Sequence, residues 1–85
     1  MYYNVNDEIL VPRVPKTLLK PDNSIFINFN NSDINTLADY GYYTVRSDNN
    51  QPPSVNSVED VTNRKVTLDK PYADVSRRWI TKNNQ

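Results

Sequence analysis

Two acidic pairs, Asp7-Glu8 and Glu59-Asp60, come nearest to a catalytic arrangement by type and spacing. Glycoside cleavage needs two carboxyl groups flanking one bond at a defined separation. Nothing else in the chain supports sugar cleavage, and carboxylates are mostly exposed, so both pairs read as solvated surface. Asp22-x-Ser24 and Asp48-x-Asn50 space oxygen ligands as calcium loops do. Neither continues to the glycine that such a loop needs at its sixth position, so turn chemistry is the simpler account. The chain has no His and no Cys. That removes the usual neutral-pH proton shuttle, thiolate nucleophiles and the common soft metal ligands. The expectation is a protein with no catalytic residue, no cofactor and no metal.

The remaining residues with chemical interest are those that build interfaces. Tyr40, Tyr42 and Tyr43 cluster after a short apolar pattern, and Arg77-Arg78-Trp79 joins residue types enriched at binding hot spots. In a strand, Tyr43 and Val45 share one face and Tyr42 and Thr44 the other. Tyr43 is assigned to the core and Tyr42 to core or contact equally. Arg77 and Trp79 point the same way in a strand, Arg78 and Ile80 the opposite way. Trp79 reads first as a core anchor; its functional alternative is docking a partner together with Arg77. Base stacking by Trp79 is disfavoured because 10 basic residues balance 10 acidic ones, leaving no field to attract nucleic acid or anionic membrane. The N-terminal Tyr2 and Tyr3, together with Leu18 and Leu19 in a proline-spaced stretch, complete the candidate protein-binding set: Tyr2, Tyr3, Leu18, Leu19, Tyr42, Arg77 and Trp79.

The elements that must position these residues are short. Length allows one domain, and 36% hydrophobic residues make a thin core, so part of it is expected to be shared with a neighbour. No apolar run reaches the ~18–20 residues of a membrane span, and the N-terminus lacks a signal-peptide pattern. Pro12, Pro15 and Pro21 forbid a regular helix or central strand over 12–21. Residues 1–21 are therefore expected as an extended arm, with Val14, Leu18 and Leu19 as anchors. Ile25 to Phe29 reads as a strand. Asn31 or Ser32 is a plausible N-cap, with Asp33 in the first turn of a helix over 33–40 that places Ile34, Leu37 and Ala38 on one face. Gly41, the sole glycine, fits a left-handed residue ending that helix. Tyr42–Val45, Val58–Val61, Val66–Leu68 and Val75–Thr81 read as further strands, and 83–85 as a polar tail. The fold expectation is a small α+β domain over 22–82, mainly antiparallel, with one short helix. Its expected core is Ile25, Ile27, Phe29, Leu37, Tyr43, Val45, Val66, Leu68 and Trp79.

The layout of residues 29–82 resembles that of small proteins encoded beside the tail genes of tailed bacteriophages. Its carriers are the helix-to-strand stretch Leu37-Ala38-Asp39-Tyr40-Gly41-Tyr42-Tyr43-Thr44-Val45, the polar loop Asn49 to Pro53, and a last strand Val75 to Thr81 bearing Trp79. The resemblance implies a non-enzymatic virion component: a tail adaptor, fibre-attachment piece or decoration protein, assembled in the host cytoplasm. Its implied partners are other virion proteins, as a homo-oligomer or multi-subunit assembly, with neither nucleic acid nor membrane. The alternative is a small host-directed inhibitor or protein-binding module.

Overall fold

In the computed structural model, which describes residues 1–82, the N-terminal segment folds back on the domain. Strands β1 (Tyr2–Asn4) and β2 (Ile9–Val11) pair antiparallel, and β1 also pairs with β5 (Tyr42–Asp48). Asn4 is buried and closes the intervening turn, its Oδ1 accepting the N–H groups of Asn6 at 2.9 Å and Asp7 at 3.3 Å. Such a side-chain cap is what Asn offers a tight turn. Two β-formers, Tyr2 and Tyr3, then find a partner strand. The expected extended arm over 1–21 is therefore replaced by two hairpins. Pro12 and Pro15 act only on the segment between them, where 12–16 run without regular structure, and Pro21 sits in the turn of the second hairpin.

The second hairpin joins β3 (Thr17–Leu19) to β4 (Ile25–Ile27), with Leu18 opposite Phe26. Its turn is held by Asp22, whose Oδ1 accepts the Ser24 N–H at 2.9 Å. The expected strand over 25–29 stops at Ile27. Asn28 takes a left-handed conformation at φ 58°, and Phe29–Asn31 form one 3-10 turn that drives Phe29 inward. Helix α1 (Ile34–Asp39) follows, capped by Asp33, whose carboxylate accepts the Thr36 N–H at 2.8 Å. The cap is thus Asp33 itself and not Asn31 or Ser32. Gly41 stands just beyond the helix at φ 97° and donates its N–H to the Ala38 carbonyl. This is the left-handed C′ geometry that glycine adopts without strain.

The rest is sheet. β6 (Ser57–Asp69) and β7 (Tyr72–Thr81) form one long antiparallel hairpin, where two short strands were expected over 58–61 and 66–68. The main sheet runs β2-β1-β5-β7-β6. The β5–β7 pair is parallel, so the sheet is mixed, and the chain as a whole is mostly β with one short helix. The protruding hairpin makes the molecule 55 Å long against 23 and 19 Å across.

A small core sits on one side of the sheet. Val14, Phe29 and Leu37 are its buried members, with Tyr2, Leu18, Phe26, Tyr40 and Tyr42 packed around them. Phe29 is fully enclosed and meets Phe26, Tyr40 and Tyr42 edge-on, at centroid distances of 5.2, 5.7 and 5.7 Å. Of the nine expected core residues, Phe29 and Leu37 are buried, and Tyr43, Val45, Val66 and Trp79 are half-buried. Ile25, Ile27 and Leu68 are exposed. The reason is period-two alternation on one-sided elements. Phe26 turns to the core, so Ile25 and Ile27 turn away. Ala38, Ala73 and Val75 are buried instead, the last two in a central strand flanked on both sides.

Candidate interaction surface

The outward face of the β3–β4 hairpin is apolar. Leu19 stands opposite Ile25, and Thr17 opposite Ile27, on the side away from Phe29. Leu19, Ile25 and Ile27 are 68%, 62% and 70% exposed. Scattered single exposed leucines are ordinary, whereas three large aliphatic groups on one two-stranded face form a contiguous apolar patch. Beside it lies an open cleft of about 470 Å³ lined by Leu18, Leu19, Asn6, Gly41, Tyr43 and Lys70. Lys70 is paired with Asp39 at 2.6 Å, which keeps its ammonium charged and neutralises the cleft's mouth.

A second feature lies on the face of the main sheet turned away from Phe29. Two irregularities in strand register assemble it. Between Val45 and Ser47 the β5–β7 register shifts by one residue. Such a bulge re-aims side chains. Arg46 and Ser47 both reach Asp74, and Asp48 is left beside Arg77 on the opposite face. In β6 the register jumps between Asp60 and Lys65, so 61–64 stand opposite Arg77 alone. That excursion brings Arg64 back onto Glu59.

The result is a chain of four charges. Arg77 binds Asp48 with two parallel bonds of 2.8 and 2.9 Å and donates a third, of 2.9 Å, to Glu59. Arg64 binds Glu59 through both carboxylate oxygens at 2.6 and 2.7 Å. The Asp48 and Glu59 side chains are only 8% and 11% exposed. The bonds from Arg64 and then Arg77 hold the Glu59 carboxyl below its ordinary value, and both guanidinium groups are raised in turn, Arg77 chiefly by Asp48 and Arg64 by Glu59. Asn49 clips the adjoining loop: its side chain accepts the Arg77 N–H and donates to the Arg77 carbonyl. Its own carbonyl accepts the Trp79 indole N–H at 2.8 Å.

The seven candidate residues therefore do not form one site. Tyr2, Leu18 and Tyr42 pack around the core, Leu19 stands on the exposed patch, and Tyr3, Arg77 and Trp79 share the far face of the sheet. Arg77 is committed to carboxylates and Trp79 to a backbone carbonyl, so both serve as supports for this face. Glu59 is not solvated surface: Arg64 and Arg77 enclose it. Asp7 and Glu8 are exposed in the first turn. Sequence reasoning missed Asp48, Glu59 and Arg64. Their signal, together with Arg77, was two acids and two bases lying within or beside β-branched runs, where charges need partners. Among the described residues there is no cluster of three or more potential metal ligands, and no helix is long and apolar enough to cross a membrane. Comparison with known proteins returns no matching family model, curated protein or solved structure.

Proposed function

We propose that this chain is a non-enzymatic structural subunit of a bacteriophage particle, binding other virion proteins as a tail adaptor, fibre-attachment or decoration component. One observation carries the binding half of that reading: Leu19, Ile25 and Ile27 stand together in solvent on the β3–β4 hairpin. Burying three such side chains against a partner is worth roughly 1.5–3 kcal/mol each before association costs. A domain with so few buried residues gains much from a neighbour that completes its core. The phage half rests on the resemblance of residues 29–82 to small tail-associated proteins. The paired state of Asp48, Glu59, Arg64 and Arg77 supports a scaffold role, because these charges are spent on each other.

The test is incorporation. Ile25→Asp and Ile27→Asp place charge on the patch without touching the buried core. Both variants are expected to fold and to be lost from purified particles made by the genome that encodes the chain. Normal incorporation of the folded variants would refute the role of this patch.

A further inference from the structure

Strand β6 forms an open edge of the main sheet, and its second half is complementary to itself. The Thr44 N–H bonds to the Pro71 carbonyl, so that side of β7 faces β5. Backbone groups of successive strand residues point to alternate sides. Those of Tyr72 and Asp74 therefore face β6, where their partners are Asp69 and Thr67. The N–H and C=O groups of Val66 and Leu68 must then point outward, away from the sheet. No proline or register break interrupts Lys65 to Asp69. The register excursion on this edge is confined to 61–64, and the charges of Lys65 and Asp69, which would keep other strands off, are opposite in sign.

We propose that β6 pairs antiparallel with β6 of a second copy of this chain, with Thr67 on the two-fold axis. In that register Val66 faces the partner's Leu68 and exchanges two backbone hydrogen bonds with it, and the symmetric pair adds two more. Lys65 meets the partner's Asp69, twice. Lys65 has no ion-pair partner among the described residues, and Asp69 engages Arg46 through Oδ2 alone. Thr67 meets its own copy, and opposed threonines are a favourable cross-strand pair. Moving the register by two residues, the smallest slip that keeps the outward backbone groups of the two strands facing each other, aligns Lys65 with Thr67 or Asp69 with Thr67 and loses both charge pairs. On the far face, Val66 and Leu68 of the two copies become one apolar strip, covering a Leu68 that is 48% exposed in the single chain. The interface is isologous and closes as a dimer. Its ladder is five residues long, so the dimer is of the weak, concentration-dependent class. This inference rests on the edge alone and not on the virion reading.

The absence of cysteine gives a direct test. Thr67→Cys puts one thiol in each copy on the axis, at a non-hydrogen-bonded pair. Cα atoms there lie about 4.5 Å apart, inside the roughly 4.4–6.8 Å that a disulfide spans. Mild oxidation should give a disulfide dimer at least about tenfold faster than Thr62→Cys, whose counterpart lies far along the strand. Lys65→Asp should slow the reaction, and Lys65→Asp with Asp69→Lys should restore it. Equal rates for Thr67→Cys and Thr62→Cys would overturn the proposal. Unchanged rates in the charge variants would overturn the register. Each variant is checked by circular dichroism first; should Thr67→Cys misfold, sedimentation of the native chain over a concentration series decides, a monomer throughout being the overturning result. That result would leave particle incorporation as a separate question.

Discussion

Truncating Phe29 tests the core most sharply, because this one side chain is fully enclosed in a domain with little else buried. Phe29→Ala removes a ring that meets three others edge-on and leaves a cavity between the sheet and α1. Buried Phe→Ala changes cost about 3–5 kcal/mol. A chain of this length has a total stability of roughly 4–13 kcal/mol. The variant is thus expected to lose a large share of its stability, and all of it if the native chain lies at the low end. With a urea slope of about 1 kcal/mol/M, the midpoint should fall by about 3 M or more. Trp79 is the sole tryptophan and lies in β7, so its fluorescence reports whether the two ends unfold together. The matched control is Ile27→Ala, two residues away but 70% exposed. It should stay within about 0.5 kcal/mol of the native chain. A loss below about 1 kcal/mol in Phe29→Ala, or an equal loss in Ile27→Ala, would refute the assignment of core and surface on this hairpin.

Further predictions follow from the same contacts. Gly41→Ala should destabilise by about 1–2 kcal/mol, since the backbone is left-handed there; its new Cβ would also stand 2.6 Å from the Asn6 side chain, and thermal melting reads the change. Thr44→Val should be neutral or stabilise by up to about 1 kcal/mol, because the Thr44 hydroxyl is buried without a partner among the described residues; chemical denaturation measures it. Glu59→Gln should cost about 1–3 kcal/mol by leaving Arg64 and Arg77 underpaired, again by denaturation. The pH profile has a definite sign. Asp33, Glu59 and Asp74 are held below their ordinary values by the Thr36 N–H, by Arg64 and by Arg46 respectively. Their contribution is complete above the unfolded values and is lost as pH falls through the lower folded ones. With no His in the chain, the denaturation midpoint should be nearly flat from about pH 6 to 8 and decline below about pH 5. Glu59→Gln should shallow that decline.

Local rules carried the sequence a good way. The helix length, its Leu37–Ala38 face and the left-handed Gly41 all follow from spacing within one turn. The final strand and the pairing of Arg77 with Trp79 on one face follow from period two. Long-range choices were not legible. Which side of β4 would be covered depended on a helix of six residues, which shields Phe26 and Phe29 and leaves Ile25 and Ile27 in solvent. The prolines predicted an arm because they exclude helix, yet Pro12 and Pro15 sit between a first hairpin built by the tyrosines and Asn4 and a second whose turn accommodates Pro21 beside Asp22. The four-charge chain depends on two register shifts, 15 or so residues apart in sequence, that no single stretch announces. Residues 83–85, expected as a polar tail, lie outside the described residues.

The central claim, that this chain works as a particle component, is tested most directly by quantitative mass spectrometry of gradient-purified particles from the genome that encodes it. The expected result is the chain in a fixed ratio to a known structural protein across independent preparations. Its absence from infectious particles, with abundant free protein left in the lysate, would contradict the claim.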